Sequence, residues 1–230
     1  MEIQLLVQTG NRVRPRAFGV EQMINAGFTG RNQEEVRHHL DELAAKGIEV
    51  PGETPVLYPV VPCALTAKDT INVYGTETSG EIEYILFVES REEIFVGIGS
   101  DHTDRKLEEL DIPRAKQITP NVFAPVVWPL AEVESHWDRL IMGCDVTLDG
   151  EQVVYQEGEL ALLMSPAELM ALVKEKVNGS LDGAVIYSGT VKMETEEFVF
   201  ADRFEGRLED PVLGRAISFG YDIRPIPALG

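Results

Sequence analysis

Two glutamates one residue apart, Glu81 and Glu83, enter an apolar stretch that continues Tyr84-Ile85-Leu86-Phe87-Val88. Side chains of a strand alternate between faces, so Glu81 and Glu83 share a face with Ile85 and Phe87, while Ile82, Tyr84, Leu86 and Val88 take the other. Both faces are apolar further along, which predicts a strand buried on both sides. Two carboxylates entering such a strand are costly unless a cation compensates them. A hard divalent ion with oxygen ligands, magnesium or manganese, would do so. The alternative is a strand end emerging into solvent with two ordinary surface glutamates.

A second candidate is Gly99-Ser100-Asp101-His102-Thr103-Asp104-Arg105, which follows the apolar run Ile94 to Ile98 and opens a helix. Asp101 sits at the handover from strand to helix, a rigid mount for a ligand. The ordinary role of such a residue is helix capping, which Ser100 or Thr103 could fill equally well. Earlier in the chain His39 and Glu42 stand three residues apart on one helix face. A carboxylate touching an imidazole fixes its tautomer and raises its basicity, as a general base for water requires. A surface histidine in a charged helix has the same spacing. His102 and His136 have no comparable partner in the sequence and are expected to be structural.

These residues need elements to position them. Residues 1–28 read as a strand (Ile3 to Val7) and Gly- and Arg-punctuated segments, a lead-in to one larger domain over 29–230. Residues 33–46 predict a helix with Val36, Leu40 and Leu43 as its apolar stripe and Gly47 as its stop. Strands follow around 56–61, 70–74, 81–88 and 94–99, then a helix from about Thr103 to Leu110. More strands fall near 121–127, 144–148 and 152–156, the last two joined by an Asp149-Gly150 hairpin turn. Ser165-Pro166, with Glu168 three residues after the cap, starts a helix that ends near Asn178-Gly179. Strands at 183–188, 197–209 and 215–223 close the chain. Mostly strand with a few short helices predicts an α+β, β-rich fold with mixed sheets rather than a doubly wound parallel one.

With 230 residues, 44% of them hydrophobic, the chain can bury a full core. Its net charge of -19 repels phosphate backbones and anionic lipid, so neither nucleic acid nor a membrane surface is an expected partner. The same charge repels small anions at long range, so an acidic substrate needs local cations. Cys63 and Cys144 are too few for a disulfide scaffold, and Met1-Glu2-Ile3-Gln4 carries no basic region and no apolar core of the kind expected of a signal peptide. No apolar run reaches the roughly 18–20 residues of a membrane helix. A cytoplasmic location is expected. Trp128 and Trp137 read as core or dimer-interface packing.

Taken together, several motifs in order resemble the fumarylacetoacetate hydrolase superfamily over roughly residues 27–223, nearest to a branch without an assigned activity. Gly30-Arg31-Asn32 leading to His39 and Glu42 resembles a GRN-type segment followed by the catalytic His-xx-Glu pair. Pro55-Val56-Leu57-Tyr58 resembles the next strand, and Glu81-Ile82-Glu83 the strand with two metal-binding glutamates. Asp101 to Arg105 resembles the D-x-x-x-R stretch, in which the aspartate completes the metal site and the arginine faces substrate. Lys116 resembles the active-site lysine, Asp149-Gly150-Glu151 with Gln156 the NGE…Q hairpin, and Gly183 to Thr190 the strand that brings a threonine to the pocket. There are two departures. The spacing from Asn32 to His39 is long, so His38 with Asp41 competes for the base role, and Gly189-Thr190-Val191-Lys192-Met193 replaces the usual ending of the last motif.

The resemblance implies a homodimer with one divalent cation, Mg2+ or else Mn2+ or Ca2+, held by Glu81, Glu83 and Asp101. It implies His39 oriented by Glu42 as the base, Lys116 as a catalytic cation, and Arg31, Arg105 and Thr190 as substrate-binding groups. The implied activity is hydrolytic cleavage of a C–C bond in a small oxo-acid, an acylpyruvate-like or diketo acid, through an enolate held at the metal. Decarboxylation, hydration and tautomerisation are alternatives on the same site, and a non-catalytic acid-binding relative is a further one.

Overall fold

The computed structural model of the chain describes residues 1–45 and 50–227; the side chains of His39, Glu42 and Leu43 lie outside the described residues. Strand β1 (Glu2–Thr9) turns back into β2 (Arg12–Gly19), and β3 (Gln22–Gly27) precedes helix α1 (Gln33–Ala45). Then come β4 (Val56–Val60), β5 (Leu65–Thr66), β6 (Thr70–Val73), β7 (Thr78–Ser79), β8 (Ile82–Val88), β9 (Ile94–Asp101) and β10 (Thr103–Asp104). Helices α2 (Arg105–Glu108) and α3 (Ile112–Ile118) lead to β11 (Asn121–Phe123), β12 (Val126–Pro129) and α4 (Leu130–Val133). Strands β13 (Ile141–Leu148) and β14 (Glu151–Glu159), helix α5 (Pro166–Lys176), and strands β15 (Ala184–Thr190), β16 (Arg203–Asp210) and β17 (Arg215–Pro225) follow. Strand outweighs helix, 48% against 22%, in mixed sheets, so the α+β, β-rich expectation holds.

A ten-stranded sheet runs β2-β1-β12-β9-β8-β15-β3-β4, with β11 paired to β9 and β5 to β11. A five-stranded sheet is ordered β14-β13-β16-β17-β6. Between the two lies the larger core, where Tyr84, Leu86 and Trp128 meet Met142, Phe204 and Tyr221. On the opposite face of the large sheet, Ile85 and Phe87 meet Leu5, Phe18, Met23 and Val60 from strands toward both edges, so the sheet curls around a second core. Every residue of β8 is buried, as its doubly apolar sequence predicts. Each such apolar side chain contributes roughly 1.5–3 kcal/mol on burial, which offsets the charge the same strand carries at its start.

The local signals of the hairpin and of α5 act as written. Asp149 and Gly150 take φ of 52° and 83°, the two left-handed positions of a type I′ turn. Ser165 and Glu168 form a reciprocal capping box. Trp128 and Trp137 are core residues, the latter edge-on to Tyr84 with ring centres 5.0 Å apart. Other expectations need correction. Residues 12–27 form β2 and β3; Arg12, Arg14 and Arg16 lie on an exposed edge strand, and so no apolar alternation marks it. The strand expected at 121–127 is two strands, and 197–202 lies outside β16. Helix α2 is capped by Asp104, whose Oδ1 accepts from the Leu107 N–H at 2.9 Å, rather than by Ser100 or Thr103. Helix α3 was not expected at all. Gly47, the expected stop of α1, lies outside the described residues. Among the described residues no helix is long and apolar enough to cross a membrane.

Candidate metal centre

Strands β8 and β9 run antiparallel, with Glu83 opposite Gly99. One step further out, the Glu81 N–H donates to the Asp101 carbonyl and the Asp101 N–H to the Glu81 carbonyl, both at 3.1 Å. Directly opposed residues share a face, so Asp101 joins the two glutamates. Glu81, Glu83 and Asp101 each offer an oxygen, all within 4.8 Å of one another. Asp101 and Glu83 are buried at 0% and 2% exposure, and Glu81 is half-buried at the rim. Two glycines make room for this cluster. A Cβ on Gly80 would lie 2.4 Å from Ser100 Oγ and 2.6 Å from the Tyr221 hydroxyl. Gly189, at φ of 84°, turns β15 so that its N–H donates to Glu83 Oε2 at 2.8 Å.

Helix α3, capped by Asp111, delivers Lys116, whose Nζ donates to Asp101 Oδ2. The ring of Tyr58 lies 5.8 Å from that ammonium. Burial, then the charge of Asp101, pushes the Glu83 carboxyl well above the ordinary range, against the pull of Lys116. Burial pushes Glu81 the same way, but Arg105 and Lys116 outweigh it and hold its carboxyl low. For Lys116 burial acts to lower the value, yet the surrounding carboxylates, Asp101 first, raise it. Lys116 therefore stays protonated, and a single ammonium faces three clustered carboxylates. Excess negative charge in a buried, all-oxygen donor set fits a hard divalent cation.

Arg105 is also brought to the centre, with Nη2 3.2 Å from Glu81 Oε1. Its remaining groups are engaged elsewhere: Nε donates to Ser79 Oγ and Nη1 to Glu108 Oε2, each at 2.7 Å, and the Phe198 ring stacks 4.3 Å away. Arg105, expected from the resemblance to bind substrate, has two of its three nitrogens engaged by protein oxygens.

Two further expectations change. Gly30 is bridged to Leu163, which directs Arg31 away from the carboxylates. Arg31 Nη2 pairs with Asp138 at 2.8 Å and Nε donates to the Leu163 carbonyl at 2.9 Å, in a cleft of about 640 Å³. The Thr190 hydroxyl donates to the Ile82 carbonyl at 2.6 Å and accepts from Gln156 Nε2 at 2.8 Å, so its proton serves the framework rather than a ligand. His39 and Glu42 belong to α1, but their side chains lie outside the described residues, and the exposed His38 is on the same helix.

Other residues also shape the site. Gln156 accepts from the Ile82 N–H at 2.9 Å and donates to the Val191 carbonyl at 2.8 Å, stapling the start of β8 to β15 and its exit. Glu108 stands three residues after Arg105, a helical spacing that could have signalled the pair. His102 is buried and structural, its ring nitrogens within hydrogen-bond distance of the Tyr221 hydroxyl at 3.0 Å and Thr78 Oγ1 at 2.9 Å.

No curated protein matches the sequence. Among solved structures the chain is similar to yeast ynq8, a fumarylacetoacetate hydrolase family protein, with 14% identity, 91% of this chain and 95% of that chain covered, and a TM-score of 0.61. It is similar to 2-keto-3-deoxy-D-arabinonate dehydratase complexed with magnesium and 2,5-dioxopentanoate, with 15% identity, 96% and 79% covered, and a TM-score of 0.65. Cg1458 with inhibitor gives 20% identity, 93% and 81% covered, and a TM-score of 0.66. The family model described as "Protein of unknown function (DUF2848)" matches residues 26–221, nearly the span of the motif resemblance. The chain therefore belongs to the DUF2848 family and has the fold of fumarylacetoacetate hydrolase family proteins.

Proposed function

We propose that the chain is a divalent-metal-dependent enzyme that hydrolyses a C–C bond in a small oxo or diketo acid of the acylpyruvate kind. The observation that carries this reading is the convergence of Glu81, Glu83 and Asp101 within 4.8 Å, with Lys116 against Asp101. These three carboxylates would hold Mg2+, or else Mn2+ or Ca2+. When bound, the cation supplies Lewis acidity that polarises a carbonyl and stabilises enolate charge. The magnesium and 2,5-dioxopentanoate held by one protein of the same fold support both the ion and the ligand class. Lys116, protonated and nearly buried, places positive charge where negative charge develops on the substrate. His39, oriented by Glu42, takes the proton of the attacking water in this reading, with His38 and Asp41 as the competing pair. The working unit is a homodimer, which sedimentation of the intact chain would measure.

Decarboxylation is the second reading, favoured because the carboxylates and Lys116 alone equip the site for enolate formation, with no activated water needed. One screen tests both. Metal-loaded protein is offered 2-oxo and 2,4-dioxo acids, with pyruvate and carbon dioxide followed separately. Pyruvate release that disappears in His39→Ala, with the magnesium-induced rise in melting temperature retained, is the expected result. Carbon dioxide release that persists in His39→Ala selects decarboxylation. A wild-type protein whose melting temperature ignores magnesium selects a non-catalytic acid-binding relative instead.

A further inference from the structure

We propose that Glu108 restricts this site to oxo acids with a single carboxylate, by occupying the arginine that would otherwise accept a second one. The inference rests on the metal-dependent reading above and specifies its substrate class. Among the described residues, the cations acting on the cluster are Lys116 and Arg105, and the carboxylates are Glu81, Glu83, Asp101 and Glu108. With all four carboxyls ionised, the state a bound divalent cation favours, they exceed the two cations by two charges, which that one ion neutralises. A 2-oxo monocarboxylate then adds a single negative charge, which the cation held by Glu81, Glu83 and Asp101 would face.

A distal second carboxylate has no such provision. Lys116 is paired with Asp101, under the ring of Tyr58. Arg105 is 6% exposed, with Nε on Ser79 and Nη1 on Glu108, both at 2.7 Å. Its Nη2 lies 3.2 Å from Glu81, and its flat face is covered by Phe198. A guanidinium has five donors in a fixed fork, and here two of its three nitrogens already donate to protein oxygens. Glu108 keeps 23% of its side chain exposed against 6% for the Arg105 it pairs with, so an acid reaching toward that guanidinium from solvent meets the Glu108 charge first. An incoming carboxylate there meets a like charge before it meets a free donor, the repulsive half of a specificity device.

The test uses the full-length chain loaded with magnesium and two probes of equal length, 2-oxopentanoate and its terminal dicarboxylate 2-oxopentanedioate, with dissociation constants measured by calorimetry. The wild type should bind the monocarboxylate at least about tenfold more tightly. Glu108→Gln keeps an oxygen for Arg105 but removes the charge, and should shrink that ratio at least about tenfold, mainly by tightening the dicarboxylate. A wild type that binds the dicarboxylate equally well or better overturns the inference without any variant. So does a folded Glu108→Gln protein with the wild-type ratio. If neither acid binds the magnesium-loaded wild type, the metal-dependent reading itself falls and takes this inference with it.

Discussion

Replacing Glu83 with glutamine separates charge balance from simple structural damage at the centre. The oxygens of Glu81, Glu83 and Asp101 lie within 4.8 Å, and at an effective dielectric near 20 two unit charges at that distance repel by about 3.5 kcal/mol. Glu83 faces two such neighbours, and Lys116 returns part of that cost. Glutamine removes the repulsion yet still offers an oxygen to the Gly189 N–H. The metal-free variant should therefore be more stable than wild type by about 1–3 kcal/mol, each kcal/mol raising the melting temperature by roughly 2–4 °C in a chain of this size. The pH dependence has a definite sign. A carboxyl whose folded value lies above its unfolded one binds more protons in the native state, so wild-type stability falls as pH rises above the ordinary carboxylate range. The advantage of Glu83→Gln should accordingly be larger near pH 8 than near pH 5. With magnesium at about a hundred times its dissociation constant, the wild type gains about 2.7 kcal/mol and the variant, short of a ligand, little. Scanning calorimetry of both proteins in chelator and in excess magnesium reads all four states. A chelated variant that melts below wild type, or equal stabilisation of both by magnesium, refutes the reasoning.

Three further outcomes are expected. Lys116→Met should lower turnover by about 10²–10³-fold while metal affinity, read by calorimetry, changes far less; loss of metal binding alone would make Lys116 a structural residue. Gly189→Ala should cost about 2–4 kcal/mol in urea unfolding, because φ of 84° disfavours a side chain and its Cβ would lie 2.3 Å from Thr29 Oγ1. The same change disturbs the N–H that holds Glu83, so the magnesium-induced stabilisation should shrink with it; an unaffected metal response would show that the turn does not position the ligand. Burial, and secondarily the charge of Arg105, lowers the His102 pKa to about 3. The unfolded chain then takes up a proton that the native state refuses, so stability conferred above the unfolded value is lost as pH falls toward 3, by about 2 kcal/mol between pH 7 and pH 5. His102→Gln should lack that loss, and since Glu83 contributes with opposite sign to both proteins, the difference between their pH profiles isolates His102; parallel profiles would contradict it.

Much of the framework was legible in the chain because its signals are local. Alternation from Glu81 to Val88 is a property of any extended backbone, and it assigned both glutamates to the face of Ile85 and Phe87 before any partner strand was known. The Asp149-Gly150 turn and the Ser165/Glu168 cap are likewise settled within four residues. Strand β2 escaped notice for the converse reason: an arginine-rich edge strand buries little, so no apolar periodicity betrays it.

What the tertiary structure decided were the matters of register and competition. Asp101 joins the glutamates because β8 and β9 pair with Glu81 against Asp101, and a slip of one residue would have turned its carboxylate to the other face. Arg31 and Thr190 carry donors that their residue types advertise, but the neighbours that took those donors, Asp138 and the Ile82 carbonyl, stand more than a hundred positions away in the chain. Residue type announces what a side chain can bind. Which oxygen reaches it first depends on contacts between segments that no local pattern encodes.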